Sequence, residues 1–370
     1  DPLAKAGCTV KRFGACVPIW GLSPERKRQM VAIGGNLMSF DLISSLWREP
    51  ELTVIHSHAL GRLGGIGLTV ARQHWLPFVV TIHGGVYDLP EKLRQSFHAP
   101  QAAGWEWGKV FGWLVRARHV LREADAIITC NPREAGLIRE RHPDRRVVVQ
   151  PHGVPAHLYR EDYRQTARRA FPELCGRPVL LSMGRIDPVK NQAWLADQWP
   201  ELLRRFPKMI LVLAGACTDE SYAEALRQKI ERLALRRNII FTGHLPPADP
   251  RLIGLLQEAR AVVLPSISET FGLVILEAWA AGTAVISSRT SGASALIEHG
   301  KNGWLFDPAC PATFHDAVDQ VLRRPDLRAG CVTAGRQQVA ADYDTTVLAG
   351  RMKQLYAELK EENHALRYSA

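Results

Sequence analysis

At 370 residues and 41.2 kDa the chain is longer than one ordinary hydrophobic core organises, which predicts two domains. Its apolar content of 46% is that of a globular protein, and no apolar run reaches the roughly 18 residues a membrane-spanning helix needs. The formal net charge of +10 is uneven: residues 1–170 hold 24 Lys and Arg against 15 Asp and Glu, residues 171–370 hold 23 against 22. The basic first part suits anionic lipid, an acidic acceptor or nucleic acid, or is simply a solvated basic surface. Helix-turn-helix, zinc-finger and aromatic RNA-binding signatures are missing, which argues against a nucleic-acid partner. Seven scattered cysteines (Cys8, Cys16, Cys130, Cys175, Cys217, Cys310, Cys331) form no CxxC pair, which argues against a disulfide framework or a zinc site. A reducing cytoplasm is the expected compartment, and no signal peptide pattern is visible.

In chain order, short β-branched runs predict strands near 52–56, 78–82, 125–130 and 146–150, with helical patterns between them. "VIHSHALGRLGG" (54–65) sets His56 and His58 and a glycine-rich loop after the first of these strands, without the Lys-Ser/Thr of a P-loop. "TIHGGVYD" (81–88) follows the second and offers His83 beside glycines that admit a ligand close to the backbone. "GWEWGKVFGWLVRARHVL" (104–121) interleaves Trp105, Trp107 and Trp113 with bases, as an interfacial helix or an aromatic core helix does. The polar stretch 152–178, with three prolines, reads as the inter-domain connection. Further strands are expected near 178–183, 210–214, 238–242, 261–264 and 284–287, and charged amphipathic helices from about 311 to 362. Strands regularly alternating with helices predict parallel sheets, which bind ligands at their strands' carboxyl ends.

Two loops carry the chemistry. "SMGRIDPVKN" (182–191) follows a strand and offers Arg185 and Lys190, two cations able to clamp a diphosphate, or ordinary surface bases. "PSISETFGLVILEAWAAG" (265–282) reads as loop then helix, with Gly272 at the start and Gly282 at the stop. Free N–H groups near Gly272, Leu273 and Val274 would form an anion site. Glu269 lies on the loop side of that anion. Glu277 stands alone in an apolar run, where an unpaired carboxylate is costly unless it has a partner or a water-filled cleft, or merely reaches solvent. Carboxylates flanking a phosphate site suit a ligand with hydroxyls at both ends, such as a nucleotide sugar. HExxH and GxSxG motifs do not occur.

The Glu269-x7-Glu277 pattern with "AWAAGTAVISS", the "GRIDPVKN" loop and "EHGKNGWLFDP" (298–308) together resemble the retaining family-4 glycosyltransferases of the GT-B fold. The resemblance covers nearly the whole chain. It implies an α/β architecture of two Rossmann-like domains with parallel sheets facing a cleft. Residues 1–165 would form an acceptor-binding domain and 166–345 the nucleotide-sugar donor domain, with 346–370 a helix crossing back to the first. Members usually open with a strand, a glycine-rich loop and a helix, so about 40 residues would precede Asp1 by comparison with a βαβ start. "QPHGVP" carries His152 where the family often has Asn.

Position by position, the resemblance implies that Glu277 holds the ribose hydroxyls and Glu269 the hydroxyls of the transferred sugar. Backbone around Phe271, Gly272 and Leu273 would meet sugar and phosphate, and Gly184 opens the diphosphate loop. Arg185 and Lys190 would stabilise the leaving diphosphate, His83 would touch the sugar, and Gly243 and His244 would line the base pocket. The expected activity is transfer of a hexose, with retention, from a nucleotide diphosphate sugar, UDP favoured over GDP, to a saccharide or lipid-linked acceptor. The site would work in the cytoplasm or at the inner membrane face, without a metal or obligatory cofactor. The alternatives are a nucleotide-sugar binding module without transfer activity and a sugar-nucleotide epimerase on the same fold.

Overall fold

The computed structural model describes residue 4 and residues 7–32, 37–83, 86–87 and 105–368. The chain divides into two compact units, Asp1–Gln150 with Arg351–Ala370, and Pro151–Gly350. Both are α/β. The glycines of "TIHGGVYD" (Gly84 and Gly85) lie outside the described residues.

In the first unit the strands are β1 (Ile19–Trp20), β2 (Ile55–Ser57), β3 (Phe78–Ile82), β4 (Trp105–Glu106), β5 (Ala126–Thr129) and β6 (Arg146–Val149). β2, β3, β5 and β6 form a parallel sheet in that order, while β1 and β4 pair separately and antiparallel. Alternation along β3 separates two cores. Phe78, Val80 and Ile82 pack with Leu68, Val70, Ile127 and Ile138 on one face. Val79 packs with Ala126, Ile128, Leu355 and Leu359 on the other. Leu355 and Leu359 belong to the last helix, Thr345–Tyr368, which also pairs Glu358 and Glu362 with Arg146 on β6.

Two expectations are corrected here. The glycine-rich run after β2 is not a loop but the first turns of the helix Gly61–Gln73. A Cβ on Gly65 would come 2.3 Å from the Val115 carbonyl oxygen, so its glycines serve close packing against the 115–117 turn. Of the stretch 104–121, the described residues 105–121 do not form one helix either. They fold as β4 and two short helices, Lys109–Leu114 and Val120–Glu123, broken where Arg116 adopts a left-handed φ of 57°. Trp113 is 79% exposed, so this is not an aromatic core helix.

The second unit contains β7 (Val179–Met183), β8 (Ile210–Ala214), β9 (Ile239–Gly243), β10 (Ala261–Leu264), β11 (Ala284–Ser288) and β12 (Trp304–Phe306). All six are parallel, in the order β12-β11-β10-β7-β8-β9. The strand sequences are nearly continuous apolar runs because helices cover both faces, as parallel sheets require. Leu180, Leu211, Leu213, Val263 and Ile286 pack with Trp199, Trp304, Phe306 and Phe314 in one core cluster. The chain lays down β7, β8 and β9 in one direction, then returns to the other side of β7 for β10, β11 and β12. The order reverses between β7 and β10, and such a switch point opens a crevice at the strands' carboxyl ends. The stretch 152–178 is folded into this unit, with a 3-10 turn Ala156–Tyr159, a helix Arg164–Ala170 and buried Tyr159, Ala167 and Leu174. No described helix is long and apolar enough to cross a membrane.

Candidate functional site at the switch point

The loops that leave β7 and β10 meet where the strand order reverses. After β7, Asp187 is buried and caps the turn Pro188–Lys190, its Oδ1 accepting from the Lys190 N–H at 3.0 Å. Asn191 turns the chain at φ 56° into the helix Gln192–Arg205, and its amide donates to the Pro265 carbonyl at 3.2 Å. Ile267 N–H donates to Val189 O at 2.8 Å. These bonds lock the two loops together, and they bring Lys190 Nζ to 2.5 Å from Glu269 Oε2, both side chains mostly buried. Sequence reading put Glu269 beside the anion and Lys190 among the cations that clamp it, without pairing them; the structure makes them an ion pair across 79 residues of chain.

Arg185 is placed differently. Its side chain is 62% exposed and its guanidinium lies 3.2 Å from Asp187 Oδ2, so it is held beside the turn. Gly184, just before it, has φ 148° and donates to Ala214 O at 2.9 Å. The neighbouring strand end requires glycine: a Cβ on Gly215 would stand 1.9 Å from Gly184 O. Gly215 N–H in turn donates to Gly243 O at 3.1 Å, so the ends of β7, β8 and β9 are stitched in series. Gly215→Ala is therefore expected to lower the melting temperature, by about 1–3 kcal/mol of stability, through overpacking. It should also displace the Arg185 loop. Thermal unfolding with and without UDP checks this, because a purely local clash would leave the UDP-induced shift intact.

On the β10 side, Glu269 O accepts from Gly292 N–H at 2.8 Å and from the Ser291 hydroxyl at 3.3 Å, which pins the loop to the start of the helix Ser291–Leu296. The next helix runs Leu273–Ala281 with left-handed glycines at both ends, Gly272 at φ 95° and Gly282 at φ 79°. Its N-cap residue, Gly272, makes no side-chain cap bond, and the first N–H groups of the helix are oriented as an anion site. The Phe271 ring is buried edge-on against His152, centroids 5.1 Å apart, and 6.3 Å from Tyr343. Phe271 therefore offers its backbone to the loop, and Leu273 stays exposed beside it.

Glu277 is partly buried in this helix, between fully buried Leu276 and Ala278. Tyr159 Oη donates to its Oε1 at 3.5 Å, a long bond. Burial pushes the carboxyl up to about 7, with the Tyr159 bond opposing in part. Burial and then the neighbouring carboxylate hold the Tyr159 phenol well above its usual range. Gly243 and His244 close β9, two strands from β7; Gly243 has φ 70° and His244 is exposed.

His83 belongs to the first unit. It is exposed at the end of β3, and its Nε2 lies 2.9 Å from His58 Nδ1. His56, in β2, contacts Tyr356 Oη at 2.5 Å and Thr81 Oγ1 at 2.6 Å. Burial, then His58 and His83, lower its basicity to about 4. Burial and His83 lower that of His58 as well.

Within the second unit, then, the structure brings together Gly184, Arg185 and Lys190 with Glu269, Phe271, Gly272, Leu273 and Glu277 around one switch point. Sequence reading missed Asp187, Gly215 and Gly292, which position that group. Asp187 had a signal, an acid directly before Pro at a turn start. The two glycines had none, since their neighbours come from distant segments.

Comparison with known proteins gives the family and the fold. Residues 164–338 match the family model described as glycosyl transferases group 1, and residues 20–158 that of glycosyltransferase family 4. A D-inositol 3-phosphate glycosyltransferase of Corynebacterium urealyticum is 30% identical over 95% of this chain and 82% of its own length. The chain belongs to the family-4 glycosyltransferases. A glycogen synthase of Mycobacterium tuberculosis is also 30% identical to this glycosyltransferase, over 83% of the chain and 75% of the relative. Among solved structures, Anabaena HepE in complex with UDP has a TM-score of 0.69 at 19% identity, covering 91% of this chain and 84% of that one. A Rickettsia africae glycosyltransferase reaches 0.71 at 16% identity, covering 97% and 86%. The fold is GT-B.

Proposed function

We propose that this glycosyltransferase moves a hexose from a UDP-sugar, with retention of anomeric configuration, to a saccharide or lipid-linked acceptor. The observation that carries the reading is the Lys190–Glu269 pair at the switch point, next to a helix start without a side-chain cap. A cation and free N–H groups suit a diphosphate, and a carboxylate beside them suits sugar hydroxyls. The preference for UDP over GDP is supported by HepE, which was solved with UDP and with UDP-glucose.

In this reading Glu277 accepts from the ribose hydroxyls, and Gly243 and His244 border the base. Lys190, Arg185 and the N–H groups after Gly272 hold the diphosphate, with Gly184 giving its loop room. Glu269 accepts from hydroxyls of the transferred sugar, and His83 is assigned a contact with that sugar. The bond from the sugar's anomeric carbon to the phosphate oxygen breaks as the acceptor oxygen bonds the same face. The leaving phosphate oxygen takes the acceptor's proton. The residues contribute by placing the partners and stabilising the departing charge. No resident cofactor enters the scheme. The basic first unit, with Trp20, Trp105 and Trp113 exposed, suits an anionic acceptor or lipid surface at the cytoplasmic face of a membrane.

Incubation with UDP-glucose alone tests the reading. UDP should be released slowly, and proton spectra at early times should show the α-anomer of glucose first. Release of the β-anomer first would overturn retention. A chain that binds UDP-glucose but never releases UDP would be a binding module.

A further inference from the structure

The donor crevice lies at the carboxyl ends of β7 and β10. At the opposite edge of the same sheet, where β10 and β11 begin, the second unit has a cavity of about 310 Å³ that the proposed activity does not use. Arg164, Arg168, Arg260 and Arg328 line it against one carboxylate, Glu258, with Gly282 beside them. Arg164 and Arg168 come from the helix Arg164–Ala170, Arg260 stands directly before β10, and Arg328 lies in the first turn of the helix Pro325–Gln338. Three segments distant in sequence thus bring their cations to one place.

Two of the four charges are already answered within the protein. Arg164 meets Asp162 at 2.9 Å. Arg168 grips Glu258 with two nitrogens, Nε and Nη2, each 3.1 Å from a carboxylate oxygen. Gln257 fixes this wall by donating to Glu161 O at 2.6 Å and accepting from the Tyr163 N–H at 2.8 Å. Arg260 and Arg328 are left over. Arg328 is half-buried and donates to the Val321 carbonyl at 2.8 Å. Burial and then the Arg260 guanidinium lower its basicity, and no carboxylate opposes them. Arg260 is exposed, and its side chain has no hydrogen-bond or ion-pair partner among the described residues. The helix dipole does not account for Arg328, because a cation in a helix's first turn is disfavoured. Arg336 differs: it lies against Gly282, at the carboxyl end of the helix Leu273–Ala281, where a cation is favoured.

We propose that this cavity binds a phosphate monoester of a small metabolite, its phosphate held between Arg260 and Arg328. Two neighbouring, unanswered guanidinium charges call for two negative charges on one compact group. A phosphate monoester carries about −1.5 to −2 at neutral pH, whereas a carboxylate carries a single charge. Guanidinium forks also match phosphate oxygens in pairs. A water takes up roughly 30 Å³ in the liquid, so the cavity has room for an organic body besides the phosphate. Glu258 keeps lone pairs beyond its Arg168 bonds for hydroxyls on that body.

Arginine Nε–Hε correlation spectra of the nitrogen-15-labelled full-length protein read the site directly, with glycerol 3-phosphate as the probe. The Arg260 and Arg328 signals should shift together and saturate. Arg260→Gln should weaken binding roughly 10-fold or more, the scale of losing a charge-assisted contact. Arg328→Lys, which keeps the charge and loses the fork, should weaken it less. Without ligand, Arg260→Gln should raise the melting temperature by relieving repulsion of Arg328; a merely structural Arg260 would lower it. The same shifts should persist in Lys190→Ala, because Lys190 lies at the other end of the sheet, and their loss there would overturn a separate site. Inorganic phosphate should bind more weakly than the ester. Equal binding of the two would overturn the ester and make the free ion the ligand. Shifts that never saturate, or acetate acting as strongly as glycerol 3-phosphate, would overturn the site itself.

Discussion

Glu277→Gln is expected to make the protein more stable at pH 8 and at the same time weaken UDP binding. The carboxyl lies in an apolar helix, its one described side-chain partner is Tyr159 at 3.5 Å, and burial raises it from 4.5 to about 7. An acid that holds its proton more tightly when folded stabilises the folded state below its unfolded value. That contribution is lost as pH rises from about 4.5 to about 7, because the unfolded chain then binds fewer protons than the folded one. At pH 8 the carboxylate is charged at a cost, and the neutral amide should be more stable by roughly 1–3 kcal/mol. Melting curves of the two proteins should therefore converge near pH 4 and separate above pH 7. The charged form that costs stability is the form that accepts from ribose hydroxyls. Hydrogen bonds to charged groups contribute about 1.5–3 kcal/mol, so the substitution should weaken UDP roughly 10- to 100-fold at pH 8. UDP affinity of the parent should rise more steeply from pH 6 to pH 8 than that of Glu277→Gln, which follows only the ionisation of the terminal phosphate of UDP.

Lys190→Ala is expected to lower kcat for UDP release by roughly 100- to 1,000-fold, the range lost when a group stabilising transition-state charge is removed. It also leaves Glu269 without its 2.5 Å partner in a mostly buried position, so UDP affinity and melting temperature should fall with it. Glu269→Ala should behave differently. Its carboxylate is assigned to the sugar, so turnover should drop while UDP affinity changes less than about threefold, which is well under 1 kcal/mol. Calorimetry for UDP and steady-state release from UDP-glucose separate the two. Equal loss of UDP affinity in both variants would contradict the assignment of Lys190 to the diphosphate and Glu269 to the sugar.

The regular part of the fold was legible because parallel strands are continuous apolar runs; β3, β5 to β11 all lie where those runs predicted. β1, β4 and β12, two or three residues each, are too short for any period to show. Helix Leu273–Ala281 was legible from its glycines, since both ends need a left-handed residue. Glycines misled at 61–67, where local propensity reads as loop but packing against the 115–117 turn decides for helix. A left-handed Arg116 gave no warning of the break in 104–121. At the switch point the residue types were readable and their pairing was not. Nothing near Lys190 in the chain shows that it meets Glu269 rather than Asp187, or that Asp187 takes Arg185. Those choices are made by the bonds between the β7 and β10 loops.

The central claim is that the β7–β10 switch point is a UDP-sugar site in which Glu277 holds the nucleoside. Calorimetric titration of UDP, with GDP alongside, into the parent and Glu277→Gln at pH 8 tests it most directly. The account predicts one UDP site in the parent, weaker binding of GDP, and UDP binding roughly 10- to 100-fold weaker in the variant. Equal UDP affinity in the two proteins, or no UDP binding by the parent, would contradict it.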